Sequence, residues 1–530
     1  MVSTRQTFEQ ISRKIFVTLL KTFPVACASD EFYFFPHIAD PSINSVTWDD
    51  FSTGSIKGII REISESIREL DQLTIPDVDE DGLADKNMLA LFLNNLHDQL
   101  SELELWKKQP SFYLTLLNSG LVQAANQEDK KLLTQRLKGI PDFLGQATQN
   151  LEEVPYWWRE ISLSMTDDCK HFLDLVSTDK RDNELSFKAI KAFEDKIKSI
   201  PANTELNISS ELLGKIYRNN LATGLTLPEI LRIIDDEILE MLQVMLDEGG
   251  QILNKSFKSS LEPDILIKNV YDKIGLSSGK QSDPVELFQN ELNRIKAHLT
   301  DICILEGNSD SFIPVIVEEM PQYFTAIRSA SSYSIYPKNP PVNGNFYVLT
   351  SSGYGVPSEN LDEYKMLTAH ETYPGHHLLD SSRLILKNIV RRSLEFPLFY
   401  EGWASFAEVL LSYSGYFKEP ADRFILAKRR YWRAVRGQVD IGLQTKKLDF
   451  ESAANILQRS GISYKRAIAS VKIYTLNPGY QTCYTVGIRR FLDLFDRYGK
   501  NDMRKFVRTV LGNGEILFPD LENLMKNPHS

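Results

Sequence analysis

Residues 370–377 read His370-Glu371-Thr372-Tyr373-Pro374-Gly375-His376-His377, a run that sets histidines and a glutamate on either side of a Pro-Gly break. Three of the chain's eight histidines fall in this octet, beside a glutamate. Neutral imidazole is the commonest zinc ligand, and an adjacent carboxylate is the base that a zinc hydrolase needs. In the usual zinc helix the two histidines stand four residues apart, about 6 Å of rise along one face. Here that position is Pro374, which cannot bind metal, and the next histidines come six and seven residues after His370. Seven residues return nearly to the same face but about 10.5 Å away, and six fall well round the side. Neither suits a single ion with bonds of about 2 Å. Pro374-Gly375 supplies the remedy, because proline interrupts the hydrogen-bond ladder and glycine admits unusual dihedrals. A helix must stop or bulge there to bring His376 or His377 to an ion shared with His370. Spacing leaves both open, the other serving as a supporting or substrate-contacting group.

A catalytic zinc takes three protein ligands and keeps a fourth position for water. Glu401 lies 24 residues after His377 and opens a helical stretch, Phe399 to Glu408. Glu408 comes seven residues later, on the same face. Glu401 is the expected third ligand, and Glu408 is expected to orient a histidine.

The surroundings are those of a helical protein. The chain has 530 residues, 42% hydrophobic and 25% charged, enough for a large core. Ile59 to Leu73, Met88 to Leu105 and Leu227 to Leu246 carry apolar residues at helical spacing. Leu132 to Leu151 does too, but Pro141 is expected to divide it in two. Trp157-Trp158 reads as core or as a pocket wall. After about residue 310 Tyr and Pro increase, and Asn343-Gly344 opens an expected strand to Thr350, whose edge could pair with an extended peptide. Helices resume from Leu361 and include Phe424–Leu443 and Ile488–Tyr498. The expected organisation is an N-terminal helical half, 1–310, and a catalytic half, 311–530, forming one continuous unit. The expected fold is mainly α, with a deep cleft and a small sheet near the zinc helix.

Net charge is −11 without a basic block, so nucleic acid is not an expected partner. No apolar run reaches membrane-spanning length. Ile15 to Leu20, followed by Pro24 to Ala28, faintly resembles a signal peptide. Lys21 interrupts it, and an amphipathic first helix is the preferred reading. Cys27, Cys169, Cys303 and Cys483 are scattered without a C-x-x-C pair. That pattern suggests a reducing, cytoplasmic setting.

The octet and the later Glu401-Gly402-Trp403-Ala404 with Glu408 resemble a large bacterial family labelled a domain of unknown function, with the signatures H-E-x-x-P-G-H-H and E-G-W-A-x-x-x-E. That family is similar to HExxH-plus-glutamate metallopeptidases, alongside the carboxypeptidase Taq family. Arg433 to Leu443 and Pro478 to Gly487 resemble further family segments. Gln444 departs from a usual His, and Leu379 from a common Gln.

The resemblance implies a soluble zinc metallopeptidase acting on short peptides, with Zn2+ held by His370, one of His376 and His377, and Glu401. Glu371 would take a proton from water and pass it to the leaving nitrogen. Tyr484 is the expected oxyanion donor, as related zinc peptidases use a C-terminal tyrosine. Arg436 is a candidate for a substrate carboxylate, or else the partner of Asp440 one turn on. Tyr480 and Arg489 are further candidates. The two departures motivate a second reading, an amide or lactam hydrolase or tailoring enzyme acting on a non-peptide small molecule. A third is a binding scaffold with structural zinc, against which Glu371 argues, since such a site needs no base. Manganese, cobalt and iron suit the same donors.

Overall fold

The computed structural model describes residues 4–40, 47–76, 79–126, 130–176, 180–203, 208–257, 262–274, 283–305, 313–322, 330–337, 341–350 and 361–526. Helical spacing in the N-terminal half becomes helix wherever an apolar stripe finds a partner. Thr53–Gln72 buries Ile56, Ile59, Ile63 and Leu70, and Ser52 caps it by accepting from the Ser55 amide at 3.3 Å. Thr4–Thr22 packs against it and buries Ile15, Phe16 and Leu19, the amphipathic first helix expected from its sequence. Trp158 is core, its indole N–H donating to the Thr475 carbonyl at 3.1 Å, while the Trp157 ring packs on Phe450.

Pro141 does not divide its segment, contrary to expectation. Lys130–Asn150 is one helix with the proline inside. Proline removes one ladder hydrogen bond, but Leu137, Ile140, Phe143, Leu144 and Ala147 stay buried on one stripe across it, and that packing holds both turns in line.

One hydrophobic cluster runs from Phe8 to Leu521, so residues of both halves share a core. In the half that carries the octet, α1 (Leu227–Leu253) is entered through a Thr226–Glu229 capping box. It is followed by α2 (Pro284–Asp301) and by a sheet of β1 (Val315–Glu319), β2 (Ser332–Ile335) and β3 (Gly344–Val348). Then come α3 (Tyr364–Glu371), α4 (His376–Arg383), α5 (Pro397–Tyr413), α6 (Pro420–Gln444) and α7 (Thr482–Leu494). Helix α6 lies against α1 and α7, and α5 against α7.

The sheet order is β1-β3-β2, with β1 parallel and β2 antiparallel to β3. The expected strand at 344–350 is therefore central, and the expectation that its edge could take a peptide is corrected. Both its sides are hydrogen-bonded within the sheet, and β2 presents the edge nearest the octet.

Candidate metal centre

Helix α3 ends at Glu371, and α4 begins at His376. The intervening turn includes a cis Tyr373–Pro374 peptide. Gly375 donates its amide to the Ala369 carbonyl at 3.0 Å, and an added Cβ would lie 2.5 Å from that oxygen and closer still to the His370 carbonyl. Only glycine lets the chain double back so tightly. The turn is held from below by Trp403, fully buried, whose indole N–H donates to the Pro374 carbonyl at 2.9 Å.

This break decides between the two adjacent histidines. His376 joins His370 and Glu401 in a buried group whose ligand atoms lie within 4.8 Å of one another. His377 leaves in another direction, with Nε2 2.8 Å from the Ile313 carbonyl and Nδ1 3.3 Å from the Tyr333 hydroxyl. Burial holds its pKa down at about 4, so it is neutral at pH 7 and donates Nε2–H to that carbonyl. As a metal candidate, His377 is not brought to the others.

Glu401 Oε2 stands 3.6 Å from His370 Nε2 and 3.5 Å from His376 Nε2. These separations are long for hydrogen bonds, and Oε2 is buried without a hydrogen-bond partner. Two donors each about 2.0–2.1 Å from one tetrahedral ion lie about 3.3 Å apart. The donor set, N, N and O, therefore fits zinc in both chemistry and spacing.

The second oxygen of Glu401 is fixed independently. Tyr480 and Tyr484 each donate a hydroxyl to Oε1 at 2.8 Å. Burial and the nearby carboxylate push both hydroxyls far above their ordinary pKa, so they stay protonated. Tyr484 reaches Glu401 because α7 crosses α5 at two glycines: a Cβ on Gly402 would lie 2.6 Å from Gly487 Cα.

His370 is oriented from behind. Its Nδ1 lies 3.1 Å from Glu408 Oε1, as expected for a carboxylate that orients a ligand. Glu408 is in turn held by Arg433 at 2.6 Å and by Arg429 at 3.0 and 3.1 Å. Arg429 continues to Glu363 at 2.9 Å, where Lys428 joins at 2.5 Å. Burial would raise the Glu408 pKa, but these guanidinium groups hold it well below the carboxylate range. Arg429, Lys428 and Glu363 were not singled out by sequence reading, and Arg433 entered only as the start of a family-like segment, although basic residues at 429 and 433 repeat at one-turn spacing on an amphipathic helix.

His376 stacks on Tyr400, with ring centroids 4.0 Å apart, and the Tyr400 hydroxyl lies 3.3 Å from Asp380 Oδ2. Asp380, Glu395 and Glu515 form a second close group of carboxylates. Arg383 stands among them at 2.7, 2.5 and 3.5 Å, so a protein cation already occupies the middle of that group.

Glu371 sits at the end of α3 with Oε2 accepting the Tyr333 amide of edge strand β2 at 2.9 Å. Arg436 does not pair with Asp440. It donates to Gln481 and packs over the Trp432 and Tyr484 rings, its guanidinium carbon 4.5 Å from each centroid. Asp440 instead accepts the Gly479 and Gln481 amides, both at 3.1 Å, and so secures the loop that carries Tyr480. Arg489 lies away from this centre, paired with Glu237 and Glu240 of α1. Gln444 reaches toward the Tyr474 carbonyl at 3.5 Å, and Leu379 is wholly buried.

Solved structures share the fold. A candidate lipoprotein of unknown function from Shewanella oneidensis superposes with a TM-score of 0.75 at 16% identity, covering 99% of this chain and 100% of that one. A candidate lipoprotein from Colwellia psychrerythraea gives 0.76 at 17% identity, covering 99% of each chain. No curated protein matches the chain. The names of these two structural relatives run against the cytoplasmic setting inferred from cysteine usage, and that expectation is withdrawn. The physical reason is that Cys27, Cys169 and Cys483 are buried apart as free thiols. Buried thiols behave as small hydrophobes and report poorly on compartment. Among the described residues, no helix is long and apolar enough to cross a membrane. A family model described as "Bacterial protein of unknown function (DUF885)" matches residues 41–525, and the chain belongs to that family.

Proposed function

We propose that this protein is a zinc-dependent hydrolase that cleaves amide bonds in short peptides, with Glu371 as general base. The observation that carries the reading is the unpartnered Glu401 Oε2 facing His370 Nε2 and His376 Nε2 at metal-sharing distances. The likeness of the two signatures to HExxH-plus-glutamate metallopeptidases supports the same reading.

His370, His376 and Glu401 would hold the ion. When bound, zinc supplies Lewis acidity toward a carbonyl and makes water acidic enough to deprotonate near neutral pH. The remaining chemistry belongs to the chain. Glu371 is anchored through Oε2 by the Tyr333 amide, which leaves Oε1 to take the proton of the attacking water and return it to the leaving nitrogen. Tyr480 and Tyr484, kept protonated, hold Glu401, and either would serve a developing oxyanion by turning its single O–H away from Glu401 Oε1. The Glu408–Arg433 pair keeps a hydrogen-bond acceptor on His370 Nδ1 and so directs Nε2 toward the ion. The two departures that motivate a non-peptide substrate fall on Gln444, which reaches the Tyr474 carbonyl and hydrogen-bonds Asp440, and Leu379, in the core. Among the described residues, neither side chain makes a polar contact with His370, His376 or Glu401, so they do not favour that alternative over the peptidase reading.

The test is elemental mass spectrometry on the purified protein and on His370→Ala, beside digestion of a mixed peptide library by the wild type and by Glu371→Gln. About one zinc per chain, lost in His370→Ala, with cleavage abolished in Glu371→Gln, is the expected result. Zinc bound with no peptide cleaved would sink the peptidase reading.

A further inference from the structure

The two histidines of the centre are held in place differently. A metal-bound imidazole ordinarily donates its second N–H to an acceptor, which fixes the tautomer and the ring plane. His370 has that acceptor in Glu408 Oε1, 3.1 Å from Nδ1. His376 has none: its Nδ1 is buried, and among the described residues it has no hydrogen-bond partner. Its Nε2 still faces the shared Glu401 oxygen at 3.5 Å. Rotation about the ring-bearing bond of histidine has only broad preferences, so some other contact sets this plane.

The face of His376 lies on Tyr400, with centroids 4.0 Å apart and planes 20° from parallel. The His370 ring meets it nearly edge-on, at 4.7 Å and 79°. Tyr400 immediately precedes Glu401 in α5, so one turn presents both a ligand oxygen and a flat wall for the neighbouring ligand. The wall is itself fixed. The Tyr400 hydroxyl lies 3.3 Å from Oδ2 of Asp380, one turn beyond His376 on α4. Arg383, wholly buried, grips Asp380 at 2.7 Å and Glu395 at 2.5 Å. His37, from the N-terminal half, stands 3.3 Å from Glu395. Glu515 accepts the Phe396 amide at 2.8 Å, just before α5 begins. Tyr400 is therefore held at its hydroxyl and at the start of its helix by residues distant in the chain.

We infer that Tyr400 is the positioning residue of His376, its ring taking the place of the hydrogen-bond acceptor and aiming Nε2 at the ion position. A ring stacked at 4.0 Å can slide but not tilt, because tilting drives its atoms inside van der Waals contact. Slide is limited in turn by the His370 ring at its edge. Coordination draws electron density out of an imidazole, and the negative face of a tyrosine ring attracts such a partner more strongly. The stack thus favours the metal-loaded centre. The inference rests on the metal reading for the ion that His376 would hold, but not for the orientation of the ring.

The experiment compares wild type, Tyr400→Phe and Tyr400→Leu in the full chain, by zinc affinity from chelator competition and by the visible spectrum of the cobalt(II)-loaded protein. Tyr400→Phe keeps the ring and should bind zinc within roughly fivefold of wild type, having lost one hydrogen bond. Tyr400→Leu loses the wall and should bind about ten- to a hundredfold more weakly. Wild type and Tyr400→Phe should share one cobalt spectrum, and Tyr400→Leu should shift its bands. General destabilisation would lower occupancy without moving them. If Tyr400→Leu does not fold, Tyr400→Met, a flexible chain without a ring plane, takes its place. A metal-free readout stands beside these: in histidine-labelled apo protein, the His376 ring signal should lie upfield through the tyrosine ring current, stay there in Tyr400→Phe and move in Tyr400→Leu. Unchanged zinc affinity and cobalt bands in Tyr400→Leu overturn the inference, as does a His376 signal that ignores the substitution. Wild type that binds no zinc but shows the ring-current shift sinks the metal reading and keeps the stack. Zinc bound equally by all three proteins does the reverse.

Discussion

At the scale of single residues, the instructive pair is His376 and His377. They are adjacent and chemically identical, yet one faces Glu401 and the other the Ile313 carbonyl. Successive residues on a helix point about 100° apart, so the residue at which α4 begins decides which imidazole reaches the centre. His376→Ala should lose the metal, whereas His377→Ala should retain about one equivalent. The second variant should instead lose roughly 1–3 kcal/mol of stability, because the Ile313 carbonyl loses its donor. Metal analysis and urea denaturation on both proteins check this, and loss of metal from His377→Ala would contradict the geometry. The octet announced this chemistry in the sequence. The choice of histidine was not legible there, because it depends on where one turn ends.

Among elements, glycine sets the site by what it omits. Gly402 and Gly487 let α5 and α7 touch backbone to backbone, and this contact carries Tyr484 to Glu401. Gly402→Ala should overpack the crossing and cost about 1–3 kcal/mol. Gly58→Ala, in Thr53–Gln72 with nothing within 4 Å of an added Cβ, should stabilise by up to about 1 kcal/mol through helix propensity. Opposite shifts in thermal midpoint would bear out the distinction, and equal shifts would refute it. The E-G-W-A segment was visible as a motif. The purposes of its glycine and tryptophan were not, since each meets a partner far away in the chain, Gly487 and Pro374. Pro141 fails as a helix breaker for a related reason, in that tertiary burial outweighs one missing hydrogen bond.

On the scale of the whole molecule, one hydrophobic cluster joins both halves, and buried charge ties the elements behind the centre to one another. From Lys428 through Glu363, Arg429, Glu408 and Arg433, an ionic chain reaches His370, so the centre is oriented by residues well outside it. Burial opposes ionisation of Glu363, but Lys428 and Arg429 hold its pKa at about 2 against an ordinary 4.5. A depressed carboxylate contributes stability that is present above the unfolded pKa and lost as pH falls through the folded one. The fold should therefore weaken progressively from about pH 4.5 toward pH 2. Glu363→Gln should be less stable at pH 7 and show a flatter decline over that interval, since the titrating group is gone. Urea midpoints at pH 7, 4 and 3 measure both slopes, and parallel declines would show that Glu363 does not drive the acid transition.

By itself the sequence determined the local terms. Helical periodicity, a glutamate beside a histidine, and a Pro-Gly break that no helix can run straight through are all written in neighbouring residues. Tertiary structure alone decided which of two histidines faces the glutamate, which arginines lie buried behind it, and that the strand after Asn343-Gly344 is central rather than an edge. Those outcomes depend on contacts between residues tens of positions apart. Their free energies appear only once the core has brought the segments together.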